Sequence, residues 1–164
     1  MQSREAIRLH YRPAIVRTLF VGEAPPASGR FFYNRDSGLY RAVRDAFHGV
    51  DPSIDDENFL SRFQASGCYL VDACPQPVDR MNHKTRREIC IANEPQLAST
   101  IHELHPETIV SLLLSIRPSV ERAAKQASWQ GTFLDLPYPG RWIRHREVFV
   151  GKLTPYLRNI NISA

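Results

Sequence analysis

The sequence predicts an α/β fold, a three-layer α/β/α arrangement around a central four-stranded, mainly parallel sheet. Three observations predict it. Four short segments gather β-branched and aromatic apolar residues without helical spacing, the segments between them repeat apolar residues every three or four positions, and the two kinds alternate along the chain. In sheets of this kind ligands bind beyond the carboxyl ends of the strands, so the loops that follow the strands are the places to search.

The first strand is expected over residues 15–21, stopping at Gly22, and the second over residues 67–73. A third covers residues 108–114, and a weaker fourth, residues 132–136, runs into the turn Pro137-Tyr138-Pro139-Gly140. Helices are expected over residues 38–47, where Leu39, Val43 and Phe47 share a face, and over residues 55–64, 85–104 and 118–127. Ser53 ahead of Asp56 and Thr85 ahead of Glu88 have the spacing of helix starts. Residues 147–160 fit either a short helix or an extended tail, because Gly151 and Pro155 interrupt them.

A chain of 164 residues is the size of one domain, so residues 1–164 are expected to share one core. Hydrophobic residues at 43% and charged residues at 23% are near globular averages, which argues against disorder. No apolar run reaches the roughly 18 residues of a membrane span, and the Arg-bearing N-terminus lacks the apolar stretch of a secretory signal. A cytoplasmic monomer with no membrane contact is expected. Cys68, Cys74 and Cys90 contain no Cys-x-x-Cys pair, so reduced thiols are expected rather than a disulfide framework or zinc site. His102 and His105, three apart around Glu103, lack a third ligand and read as surface residues. The net charge of +4 comes from 21 basic residues, mostly arginine, whose planar guanidinium suits phosphates and stacked bases.

The unusual stretches follow strands one, two and four. Leu19-Phe20-Val21-Gly22-Glu23-Ala24-Pro25 places a strand before a Gly/Pro turn, and Gly29-Arg30-Phe31-Phe32-Tyr33 comes soon after. Tyr69-Leu70-Val71-Asp72-Ala73-Cys74-Pro75 forms the second, and Leu134-Asp135-Leu136-Pro137-Tyr138-Pro139-Gly140-Arg141 the third. Bland readings stand beside each: an ordinary turn at Gly22, core aromatics at Phe31 to Tyr33, a turn-capping carboxylate at Asp72.

In this order the three motifs resemble the uracil-DNA glycosylase superfamily, most closely its iron–sulfur, thermostable-type branch. The resemblance spans roughly residues 15 to 150. It implies a DNA glycosylase-like hydrolase that flips a modified base out of DNA and cleaves its N-glycosidic bond, with DNA and a nucleobase or nucleotide as partners. The alternative is a binding module that keeps the fold without hydrolysis. Gly22, Ala24 and Pro25 would line the base site, and Phe32 would stack on the base. Asp72 stands where the family has a uracil-reading Asn. An ionised carboxylate only accepts hydrogen bonds, which disfavours uracil and suits an edge with adjacent donors; a protonated one could mimic the Asn. Tyr138 stands at the family's catalytic His, where its hydroxyl could donate one hydrogen bond to developing charge. Glu23 could orient a water or contact the base. Arg30, Arg141, Trp142 and Arg144 are the expected DNA contacts, Arg86 and Arg87 being a solvated helix start with phosphate contact as a second reading. Cys74 and Cys90 resemble the last two cluster ligands in spacing, but the N-terminal pair is missing, so no metal and no cofactor are expected.

Overall fold

The segment carrying Leu19, Phe20 and Val21 is buried along its whole length, so it lies inside a sheet covered on both faces. The computed structural model, which describes residues 2–140 and 142–162, makes this strand β1 (Thr18–Gly22). It pairs in parallel with β2 (Cys68–Asp72) on one side and β3 (Thr108–Ser111) on the other, and β3 pairs in parallel with β4 (Thr132–Asp135). The strand order is β2-β1-β3-β4, and the register sets Gly22 against Asp72 and Val21 against Ser111. The carboxyl ends of β2, β1 and β3 therefore finish level to within a residue.

Helices α1 (Arg4–His10), α2 (Gly38–Val50) and α3 (Phe59–Ala65) precede β2; α4 (His83–Ala92) and α5 (Glu94–Leu104) precede β3. Then come α6 (Arg117–Gln126) and, after β4, α7 (Ile143–Asn159). From β1 the chain steps outward to β2, then back across β1 to β3 and on to β4. Right-handed crossovers in opposite directions put their helices on opposite faces. Thus α2 and α3 lie on one face, joined by α7 against α2, while α5 and α6 pack together on the other. This is the three-layer α/β/α arrangement with four parallel strands. Among the described residues no helix is long and apolar enough to cross a membrane.

Several boundaries differ from the sequence reading. Residues 15–17 precede β1 rather than belonging to it, and Ile15 is 69% exposed. The helix expected over residues 85–104 is two helices. Pro95, in the first turn of α5, has no N–H to continue the ladder, and Asn93 folds back onto Ile89 and Cys90. Neither Ser53 nor Thr85 starts a helix: Ser53 bonds Asp51 in a turn, and Asn82 caps α4 by accepting from the Thr85 N–H. Residues 147–159 fall within α7 and Ile160 caps it; Pro155 only withholds a hydrogen bond from the exposed Gly151 turn. The sequence reading missed α1 altogether, because none of its residues is fully buried and no apolar stripe marks it.

Candidate functional site

A cavity of about 220 Å³ opens where β1 and β2 end. That is below the roughly 300–1,000 Å³ of drug-sized sites and suits one small flat molecule. Its walls come from the loop after β1 (Gly22 to Pro26), from Phe31 and Phe32, from Asp72, Arg86, Leu112 and Leu113, and from Tyr138. The three motifs, far apart in the chain, converge on it.

The loop after β1 is tied down from several directions. The Ala73 and Cys74 N–H groups donate to the carbonyls of Gly22 and Glu23 at 2.8 Å each, and Asp79 accepts from the Ala27 N–H at 3.1 Å. A turn from Pro26 closes through the Gly29 N–H at 3.2 Å, and Gly29 adopts φ 86°, a conformation that favours glycine. Gly22 has a different reason to lack a side chain. A Cβ there would sit 3.0 Å from Asp72 Oδ1, so the glycine makes room for the carboxylate.

Asp72 ends the edge strand β2, with its side chain 11% exposed. Burial pushes its pKa up from 3.8 to about 6, and the guanidinium of Arg8 pulls against that rise. Arg8 donates from Nη2 to Asp72 Oδ2 at 3.2 Å. Near neutrality the group is an acceptor; below about pH 6 it becomes a carboxyl that can also donate.

Glu23 does not stand free. Arg86 grips it through both Nη2 to Oε1 and Nε to Oε2, the latter at 3.3 Å, and this bonding raises the Arg86 pKa. The guanidinium carries a permanent positive charge in the cavity wall. Sequence reasoning placed Arg86 on a solvated helix start, since nothing local in α4 shows that its side chain points back to the β1 loop.

Phe32 is in the wall but only 4% exposed, its ring packed against Tyr33, Tyr40, Phe59 and Phe63. The core reading and the wall position thus hold together for this residue. Phe31, beside it in the wall, lies under the Arg8 guanidinium at 5.4 Å. Ala24 and Pro25 shape the wall without polar side-chain groups. Tyr138 stands at the mouth, 49% exposed, and its pKa is raised by desolvation, so it remains a neutral hydroxyl.

Tyr138 also belongs to a shallow groove of about 630 Å³ that continues from the mouth past Arg30, Arg41, Trp142, Ile143 and Arg146. Among the described residues Arg30 and Arg41 have no ion-pair partner, whereas Arg146 is paired with Asp45. Trp142 is 69% and Ile143 76% exposed. Of the expected DNA contacts, Arg30 and Trp142 line this groove, Arg144 is exposed but does not line it, and Arg141 lies outside the described residues. Arg41, an α2 residue, was missed because it reads as an ordinary solvated helix position.

Cys74 and Cys90 meet in the interior, Sγ to Sγ 3.2 Å, as free thiols. The Cys74 hydrogen bond lowers the pKa of Cys90, and the same contact together with burial raises that of Cys74. Among the described residues no group of three or more His, Cys, Asp or Glu is placed to hold a metal ion. Against known proteins, the chain matches no family model and no curated sequence at a significant level.

Proposed function

We propose that this chain is a uracil-DNA glycosylase-like protein that takes a base flipped out of DNA into the cavity at Gly22 to Pro26 and supports hydrolysis of its N-glycosidic bond. The observation that carries this reading is the convergence of Glu23, Asp72 and Tyr138 with two aromatic rings on one cavity of about 220 Å³, beside a groove lined by Arg30 and Arg41, which have no ion-pair partner among the described residues. An apolar wall holds a flat ring by dispersion and stacking. Asp72 reads its edge as an acceptor, which favours a modified base over plain uracil. Arg86 and the Tyr138 hydroxyl lie where negative charge on a departing base would be stabilised. Arg30, Arg41 and Trp142 receive the DNA backbone and neighbouring bases. DNA as partner and the cytoplasm as compartment belong to the same proposal.

One observation favours a second reading, binding without cleavage: the two strand-end carboxylates of the cavity are already engaged, Glu23 by Arg86 and Asp72 by Arg8. A base that activates water needs a free lone pair and a matched pKa. The test is a panel of duplexes carrying uracil, hypoxanthine, xanthine or alkylated bases, assayed for abasic sites. Hydrolysis predicts cleavage of at least one lesion duplex and its loss in Asp72→Ala. No cleavage, with lesion duplexes still bound more tightly than unmodified ones and binding weakened in Arg30→Ala/Arg41→Ala, establishes the binding reading. Neither cleavage nor binding at low salt removes both.

A further inference from the structure

We infer that Arg8 is a positioning residue of the cavity: it ties one oxygen of Asp72 back to α1, leaving the other to accept a ring N–H, so that at neutral pH the pocket selects bases with a lactam edge. The inference rests on the base-binding reading above.

Among the described residues Asp72 alone lines both the cavity at Gly22 and a second, polar cavity of about 320 Å³ between α1, β2 and α5. Its two oxygens are divided between them. Oδ2 accepts from Arg8, a residue of the second cavity, while Oδ1 lies over Gly22, where an added Cβ would approach to 3.0 Å. An incoming base in the first cavity therefore meets Oδ1. A ring N–H can be accepted there; a ring nitrogen with a lone pair is repelled as long as the carboxylate stays ionised.

Arg8 has the contacts to keep it so. Its side chain is 15% exposed, Nη1 donates to Glu5 at 2.5 Å, and its guanidinium lies over Phe31, a wall of the same cavity. Among the described residues the Arg8 Nε is buried with no acceptor, so the two Nη groups carry its hydrogen bonds. A single side chain from α1 thus holds two walls of the cavity that it does not itself line. Of the charged and titratable groups around Asp72, Arg4, Glu5 and Arg8 face it from α1; Tyr69, Arg12 and Glu103 share the second cavity; Glu23, Arg86, Asp79 and Tyr138 share the first, with Cys74 beside them. Arg8 and Arg4 favour the ionised form and Glu5 opposes it.

The experiment separates this inference from the reading on which it rests. The Asp72 carboxyl is titrated by carbon-13 NMR in the wild type, Arg8→Gln, Arg8→Lys and Glu5→Gln, each checked for native circular dichroism. Arg8→Gln is expected to raise the Asp72 pKa by roughly one unit or more, the usual effect of losing an opposite charge at this distance. Arg8→Lys restores most of it, and Glu5→Gln moves it downward; this last variant changes a side chain 62% exposed and keeps the test open should Arg8→Gln fail to fold. In parallel, hypoxanthine, which has a ring N1–H, is compared with unsubstituted purine, which has a lone pair there. Wild type at pH 8 should prefer hypoxanthine by about tenfold or more, the cost of confronting a buried acceptor with a lone pair. The preference should fade as pH falls through the Asp72 midpoint, and that midpoint should move up in Arg8→Gln. An Asp72 pKa that is unchanged in Arg8→Gln, or in Glu5→Gln if only that variant folds, overturns the inference even if bases bind. If the pKa shifts as expected but wild type binds neither base, the role of Arg8 in holding the charge survives and the base-binding reading falls.

Discussion

Replacing Asp72 by Asn tests the electrostatics of the cavity without reference to any ligand. The carboxyl is 11% exposed and its pKa stands at about 6 rather than 3.8, with burial as the first cause. A raised pKa in the folded state means that the native protein holds the proton more tightly than the unfolded chain. The stabilising contribution is therefore complete below the unfolded value of 3.8 and is lost as pH climbs through about 6. The gap between those two values corresponds to about 3 kcal/mol. Asn carries no titrating proton, so Asp72→Asn removes this pH dependence while keeping the shape. Urea unfolding of both proteins at intervals from pH 3.5 to 7.5 should show the stability of the variant gaining on wild type by about 3 kcal/mol across that range, most of it between about pH 4 and 6. The constant offset between the curves reports the lost Arg8 contact and is irrelevant to the slope. Parallel curves, or a variant that loses ground as pH rises, would refute the assignment of a buried, destabilised carboxylate.

Two further predictions concern the same region. Gly22→Ala places a methyl 3.0 Å from Asp72 Oδ1, against a carboxylate already tied to Arg8; it should destabilise the fold by about 1–3 kcal/mol in urea unfolding, and a neutral result would mean that the carboxylate is not fixed. Oxidation with diamide should join Cys74 and Cys90, whose sulfurs lie 3.2 Å apart, as two thiol hydrogens pass to the diazene and reduce it to the hydrazine. A bond across that 16-residue separation should stabilise the fold by about 3 kcal/mol and leave one of the three thiols titratable under denaturing conditions, with Cys74→Ser abolishing both effects; three thiols after treatment would sink the prediction.

The layered α/β/α fold was legible because burial on both faces leaves a mark in every strand: Leu19-Phe20-Val21 and Tyr69-Leu70-Val71 contain no polar residue to betray an outer face. The ends of those strands were legible too, since Gly22, Asp72 and Pro137 interrupt the apolar runs, and that located the cavity. Local signals failed where the deciding partner is distant. Thr85 looked like a helix start until Asn82 supplied the cap, and α1 has no buried stripe because it covers an edge with half-buried residues. The same limit governs the chemistry. Glu23 and Asp72 can be picked out as carboxylates at strand ends, but whether each is free or engaged depends on Arg86, 63 positions from Glu23, and on Arg8, 64 positions from Asp72. Hydrophobic periodicity records which face of a segment is covered, one residue at a time. A charge pair is a property of two segments brought together, so the chain order determined where the cavity lies while the ion pairs that Arg8 of α1 and Arg86 of α4 make across the fold decided the state of the acids within it.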